Sequence, residues 1–310
     1  MSRRVRILDG LRGITGGPEY SEQEPMADHT SFGVGGPADY FVSVQTKGQL
    51  QAVLDCLREA GEPYFILGKG TNLLVGDRGY RGAVVCLAGA GSGSDLGSIT
   101  VTGNRIRAGA GAALTSVSQA AREHSLTGLE FASGIPGSVG GALVMNAGAY
   151  GGDMAQVVRS ARLLMPDGAV REWPAEDLRF SYRRSVLREI PAVALEAVFE
   201  LEAGDPDAIR DKMQDFAARR RDRQPLEFRS AGSAFKRPEG HYAGRLIEEA
   251  GLRGYTVGDA CVSEKHCGFV INRGHATAAD IRRVISDVQL RVLEHSGVKL
   301  EPEVIFLGDF

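Results

Sequence analysis

The stretch Gly134-Ile135-Pro136-Gly137-Ser138-Val139-Gly140-Gly141-Ala142-Leu143-Val144-Met145-Asn146-Ala147-Gly148-Ala149-Tyr150-Gly151 decides how this chain is read. It is dense in glycine, carries one proline and has no charged side chain. Glycine accepts φ > 0 and, lacking a Cβ, lets a ligand lie against the backbone. Successive bared N–H groups form a nest suited to a phosphate or an electron-rich ring. Flexible linkers are built from small and charged residues, whereas Ile, Val, Leu and Met interleave these glycines. The stretch is either a tightly packed turn in a core or a cofactor cradle, and the cradle is the expectation.

A second glycine loop lies upstream. Tyr64-Phe65-Ile66-Leu67 reads as a short buried strand and opens into Gly68-Lys69-Gly70-Thr71-Asn72-Leu73-Leu74-Val75. A glycine loop directly after a strand presents backbone N–H groups to phosphate. It is not the P-loop motif, since Pro63 stands where the first glycine belongs and Gly70 follows Lys69. Leu73 likewise occupies the third-glycine position of the dinucleotide fingerprint.

The totals are those of a globular enzyme. At 310 residues, with 43% apolar and 24% charged residues, the chain can hold two or three domains. Its 41 glycines gather in loops without a period, which excludes collagen and favours a loop-built ligand site. A net charge of −3 gives no general attraction to nucleic acid or to an anionic membrane. Cys56, Cys86, Cys261 and Cys267 have no zinc or C-x-x-C spacing, so no metal is expected. No apolar run approaches a membrane span, and Met1 to Arg12 lacks the apolar core of a signal peptide. A reduced, cytoplasmic enzyme is expected.

In chain order, residues 1–28 show no sustained period and read as a loosely held leader. Helical spacing marks Lys47 to Ala60, Thr115 to Glu123 (capped by Thr115 or Ser116), Asp207 to Arg220, Gly244 to Ala250 and Ala276 to Glu294. Strands are expected at Asp39–Val44, Ala83–Leu87, Ile99–Val101, Arg105–Ala108, Val157–Met165, Val193–Leu201 and Leu300–Leu307, with Gly/Ser-rich turns within 82–111. The texture changes at Asp205, which puts a domain boundary near Gly204.

Eight blocks in one order complete the picture: H-T-S-F-G-V-G-G-P-A-D from His29, L-G-K-G-T-N-L-L-V from Leu67, the cradle, S-Y-R-R-S from Ser181, A-G-S-A-F-K-R-P from Ala231, L-I-E-E-A-G-L-R-G from Leu246, V-S-E-K-H from Val262 and L-E-P-E-V from Leu300. Together they resemble the UDP-N-acetylenolpyruvoylglucosamine reductase (MurB) family over His29 to Gly308. The short passage after Ser185, through Pro191 into Val193, resembles its type II branch, which lacks the tyrosine-bearing capping loop of type I. Phe228-Arg229 departs from the family's aromatic-proline pair, and Arg237 stands where type I members carry asparagine.

The resemblance implies an α+β architecture: a two-subdomain FAD-binding fold of the vanillyl-alcohol-oxidase (PCMH) type over 29–202 (about 29–87 and 88–202), then a C-terminal α+β substrate-binding domain over 203–310. Its final strand would return to the active site. Non-covalent FAD would rest on Gly68, Lys69, Gly70, Thr71, Asn72 and Leu73, and on Gly134, Ile135, Pro136, Gly137, Ser138, Gly140, Gly141, Asn146, Ala147 and Gly148. NADPH would be co-substrate, and hydride would reach the vinyl C3 of UDP-N-acetylglucosamine enolpyruvate on the way to UDP-N-acetylmuramate. Negative charge then grows on C2 and its carboxylate, which calls for cations and acids. By family match Arg183 and Glu303 meet that charge and Ser233 protonates C2; beside such charge Glu303 is expected to be protonated, and Lys236 is the candidate neighbour that lowers the cost for Ser233. Tyr182, Lys236, Arg237, Lys265, His266 and Asn272 would contact substrate.

Taken singly, Arg183 and Arg184 would be surface arginines, Ser233 a turn serine and Glu303 a guard on an edge strand. The rival reading is an FAD-dependent oxidase or dehydrogenase of the same fold. Partners are small molecules only, with no nucleic acid and no membrane, and a monomer is expected.

Overall fold

The structure, a computed structural model, describes residues 2–87 and 94–310. The glycine/serine turn expected at 88–93 and the 87/88 subdomain boundary fall on or beside residues outside that description. Among the described residues seven α-helices form: α1 (Arg3–Gly13), α2 (Lys47–Ala60), α3 (Leu114–Glu123), α4 (Val139–Met145), α5 (Pro206–Arg223), α6 (Ala243–Glu249) and α7 (Ala278–Ser296).

Local chemistry sets their ends. Leu50, Val53, Leu54 and Leu57 lie on one face of α2 and are all buried. Thr46 Oγ1 accepts from the Gln49 N–H at 3.1 Å while Gln49 Oε1 accepts from the Thr46 N–H at 3.3 Å, closing a capping box. Thr277 and Asp280 repeat the device on α7, which ends on the left-handed Gly297. The expected cap of α3 is absent. Its N-cap is Ala113, and the Leu114 N–H donates instead to Gly137 O at 3.0 Å, so no capping hydroxyl is needed.

The chain divides into two compact units: residues 1–22, 40–69 and 82–218, and residues 23–39, 70–81 and 219–310. The division nearest Gly204 falls at Ala218–Arg219, inside α5.

The first unit contains an antiparallel five-stranded sheet ordered Val170–Pro174, Val158–Leu164, Val193–Glu200, Arg105–Gly109, Ile99–Thr102. It also contains the parallel pair Tyr64–Leu67 and Ala83–Cys86, part of a four-stranded sheet. Its core takes in Val85, Ile106, Leu114, Leu143 and Phe199. The same core includes Ile7, Leu8 and Leu11, so the leader expected to be loose is instead anchored by α1. Gly10 lets α1 approach α2 closely, because a Cβ there would collide with Cys56 Sγ. A glycine that reads as a breaker in sequence is here a packing contact.

The second unit builds an antiparallel sheet ordered Arg229–Ser233, Phe269–Asn272, Ala260–Val262, Thr256–Val257, covered by α6 and α7. Ile305–Leu307 runs parallel to Leu73–Val75 in the register Ile305 to Leu73. The last strand is shorter than the expected Leu300–Leu307. Pro302 has no N–H for a ladder, and residues 301–303 bond to residues 234–236 instead.

Candidate active site

The first glycine loop follows directly from the strand Tyr64–Leu67. Among the described residues the backbone N–H groups of Lys69, Gly70 and Thr71 have no acceptor. Gly70 holds φ 60, and a Cβ there would run into the carbonyl oxygen of His29. Leu73 is buried in the strand paired with Ile305.

The cradle is more ordered than a nest. Its middle is α4, whose Ser138 Oγ accepts from the Gly141 N–H at 3.3 Å. Val139 and Gly140 donate to Ala112 O and Ala110 O at 2.9 and 2.8 Å, so three of the amides expected to be bare are spent within the protein. Those of Gly137 and Ser138 have no acceptor among the described residues. Gly140 is a packing glycine, since its Cβ would lie 3.1 Å from Ala110 Cβ. Gly68 faces the cradle within the same unit: a Cβ at Gly68 would collide with Ser138 Oγ.

At the far end of α4, Asn146 adopts φ 41 and closes the helix. Its buried amide donates to Ser181 O at 3.0 Å and accepts from the Ala155 N–H at 3.0 Å. It therefore fixes the turn that carries Arg183. In that turn Ser181 and Arg184 exchange backbone hydrogen bonds at 2.9 and 3.1 Å around Tyr182 and Arg183, and Arg183 has φ 56. The guanidinium donates from Nη2 to Gly148 O at 3.0 Å and lies 5.1 Å from the centre of the exposed Tyr182 ring. Gly148 pairs with Asp153 across a two-stranded ribbon, Gly148–Ala149 with Gly152–Asp153.

In the second unit Ser233 ends the strand Arg229–Ser233 just past an irregularity at the left-handed Gly232, and is exposed. The neighbouring segment is fastened to it. The Glu303 N–H donates to Ala234 O at 2.9 Å and the Lys236 N–H to Glu301 O at 2.9 Å. Asn72 secures Glu303 from the other side, with Nδ2 donating to Glu303 O at 3.0 Å and its own carbonyl accepting from the Ile305 N–H at 3.0 Å. Ser233 and Glu303 are thus brought together in one unit, while Arg183 belongs to the other. Lys236, expected to serve Ser233, has its Nζ 3.1 Å from Glu301 Oε2.

The remaining expected substrate contacts are held by the protein itself. Buried Asn272 donates to Phe32 O at 3.0 Å and accepts from the Gly274 and Ala276 N–H groups at 2.9 and 3.1 Å. His266 accepts at Nδ1 from the Gly268 N–H at 3.1 Å and packs edge-on to Phe269. Burial pushes its pKa below the ordinary value, a preference for the neutral ring that the Nδ1 contact matches. Lys265 Nζ donates to Arg221 O at 2.7 Å, and Arg237 lies 4.0 Å over the Tyr242 ring.

Two residues escaped the sequence reading. Asp77 accepts at both oxygens from the Ala278 and Ala279 N–H groups at 2.8 Å, capping α7 from a distant loop. Asp153 keeps a buried Oδ1 that has no hydrogen-bond partner among the described residues. No local pattern marks either, because each depends on a tertiary neighbour. Among the described residues no His/Cys/Asp/Glu group could hold a metal, and no helix is long and apolar enough to cross a membrane.

Acceptor-free amides in glycine loops suit an anionic cofactor, and the family matches make the protein an FAD-containing oxidoreductase. Residues 38–173 match the FAD binding domain family, and the loops suit the group: amides for a pyrophosphate, uncharged walls for a ring. Residues 224–307 match the C-terminal domain of UDP-N-acetylenolpyruvoylglucosamine reductase. The chain belongs to the UDP-N-acetylenolpyruvoylglucosamine reductase family. It is 48% identical over 301 residues to the reductase of Agathobacter rectalis, covering 93% of this chain and 94% of the relative. It is 46% identical over 303 residues to that of Caldanaerobacter subterraneus, covering 98% of each. The crystal structure of the MurB reductase from Thermus caldophilus superposes with a TM-score of 0.78 at 35% identity, over 94% of this chain and 98% of that one. The fold is accordingly α+β, an FAD-binding domain followed by the C-terminal domain of the reductase family.

Proposed function

We propose that Ser233, Arg183 and Glu303 carry the reaction of this FAD-containing oxidoreductase, the NADPH-dependent reduction of the enolpyruvyl group of UDP-N-acetylglucosamine enolpyruvate to UDP-N-acetylmuramate, a peptidoglycan precursor. Bound FAD, recharged by NADPH, would supply the hydride that reaches the vinyl C3. The acceptor-free amides of Lys69, Gly137 and Ser138, in one unit, would hold its pyrophosphate.

Arg183 is held through one nitrogen by Gly148 O, which fixes the planar fork for the substrate carboxylate. As negative charge spreads from C2 into that carboxylate, a fixed cation lowers its energy without reorganising. Glu303 faces the same charge. An ionised carboxylate would repel it, so Glu303 acts with its proton on, as a donor. Ser233 delivers the proton to C2. Its exposure lets solvent restore that proton, while Lys236 is paired with Glu301. The observation that carries this reading is the fastening of the Glu303 segment to Ala234, one residue from Ser233.

Residues 29–202 serve as the FAD-binding domain and 203–310 as the substrate-binding domain. The enzyme works as a monomer in the cytoplasm. A flavin oxidase or dehydrogenase is disfavoured, since it would need a base to take a substrate proton, and this site is assembled from acids and a cation.

An anaerobic titration tests the reading. The protein should be yellow, bleach with NADPH, and recolour on adding UDP-N-acetylglucosamine enolpyruvate with oxygen excluded. Colour returning only with air would refute it in favour of the oxidase.

A further inference from the structure

Asp153 is a half-buried acid, with one buried oxygen, and has no evident task. It precedes the short turn Met154–Gln156 at the capping position, yet its side chain makes no capping hydrogen bond. Oδ2 has only a long contact, 3.4 Å, with Asn146 Nδ2. Oδ1 is buried and has no partner among the described residues. A buried carboxylate oxygen that lacks a donor is costly and is not expected to persist without one.

Its surroundings say what kind of donor belongs there. Asp153 pairs with Gly148 across the ribbon, and the Cβ that Gly148 lacks would lie 2.6 Å from Asp153 Cβ. The base of the Asp153 side chain therefore packs against the Cβ side of Gly148. Arg183 holds the carbonyl of the same glycine at 3.0 Å. Two groups of opposite charge thus flank one residue of the cradle. Ion pairing does not consume the acid, since Oδ1 has no partner.

We propose that Asp153 Oδ1 accepts a hydrogen bond from the imide N3–H of the isoalloxazine ring of FAD. The inference rests on the reading of Arg183 as the residue that holds the substrate carboxylate. The substrate reacts at the ring, so the part of the cofactor beside Gly148 is the ring rather than the adenine. The ring carries one N–H donor when oxidised, the imide, and a carboxylate is its strongest available acceptor. The same negative charge opposes the arrival of electrons on the ring, so Asp153 also lowers the reduction potential.

The test is a cycle between protein and cofactor, read by binding rather than turnover. Wild type, Asp153→Ala and the isosteric Asp153→Asn are stripped of flavin and titrated with FAD and with 3-methyl-FAD, which lacks the N3–H. Wild type should prefer FAD. Asp153→Ala should bind FAD about ten- to a hundredfold more weakly, the worth of a hydrogen bond to a charged group, and bind 3-methyl-FAD unchanged or better. Asp153→Asn, still an acceptor but neutral, should fall between. Its bound flavin should have a more positive reduction potential, and should lose the N3 proton at lower pH in an alkaline absorbance titration.

Equal weakening toward both flavins would overturn the proposal, because Asp153 would then be satisfied by water or by the fold. No weakening in either variant would overturn it too. Should Asp153→Ala fail to fold, the wild-type comparison and Asp153→Asn decide alone, and wild type binding the two flavins equally refutes it. A wild-type protein that takes up no FAD would bring down the flavoenzyme reading along with this one. Normal FAD uptake without discrimination would bring down this one only.

Discussion

Two methyl groups added two residues apart should have unequal effects. Gly70→Ala places a Cβ at φ 60, a left-handed conformation that costs an alanine about 1 kcal/mol or more. That Cβ would also run into the His29 carbonyl oxygen and lie 3.2 Å from Thr30 Cα. Both are backbone atoms, tied in place by the Ser31 N–H donating to Gly70 O at 3.1 Å. Relief requires breaking that bond, for about 1 kcal/mol, with about 1–3 kcal/mol of residual overpacking. The total, about 3–5 kcal/mol, is a large part of the stability of an ordinary domain.

Gly68→Ala meets a movable obstacle, Ser138 Oγ. Rotating that hydroxyl away surrenders the 3.3 Å cap on the Gly141 N–H, for about 1 kcal/mol. Urea unfolding followed by circular dichroism should separate the two variants, and gel filtration should show flavin lost from Gly70→Ala first. Ser138→Gly should rescue Gly68→Ala, since glycine at a cap costs only a few tenths of a kcal/mol. Gly70→Ala no less stable than Gly68→Ala, or no rescue by Ser138→Gly, would refute the reasoning.

Three other outcomes are expected. Ser233→Ala should keep flavin reduction by NADPH while slowing anaerobic reoxidation by the enolpyruvyl substrate by about a hundredfold or more, in stopped-flow absorbance. Glu303→Gln, which still donates a hydrogen bond, should retain about tenfold more of that second half-reaction than Glu303→Ala; equal losses would argue against a protonated Glu303. Burial pushes the Glu130 carboxyl up, but the Thr127 hydroxyl, the Gly128 N–H and the Lys212 ammonium outweigh it and hold it below its ordinary 4.5. The stability it contributes is therefore present above 4.5 and lost as pH falls through the lower folded-state value. Urea midpoints measured on acidification should fall more steeply for wild type than for Glu130→Gln.

The parts of the fold that could be read were those whose cause is local. α2 and α7 carry their stripes and caps in sequence, and Gly61 and Gly297 end them. The first glycine loop was legible because it follows a strand. α1 was not, because its apolar stripe is only Ile7, Leu8 and Leu11 and its glycine is explained by Cys56, far along the chain. α4 hid behind its glycines: Gly140 and Gly141 are tolerated in its first turn, where Ala110 and Ser138 take their N–H groups. Among the candidate site residues, the ordered blocks pointed to Ser233 and Glu303, yet nothing in them reveals that Lys236 pairs with Glu301 or that Asn272 bonds to Phe32 O.

Arg183 holds its left-handed φ of 56 at a cost of about 1 kcal/mol that glycine or asparagine would not incur. A library of this protein sorted only for heat resistance should enrich Gly or Asn at that position wherever relief of the strain exceeds the lost hydrogen bond to Gly148 O. By the role proposed for Arg183, such survivors would be unable to hold a substrate carboxylate. On that proposal position 183 is where durability and turnover are selected in opposite directions, and where an engineer relying on melting temperature alone would disarm the enzyme.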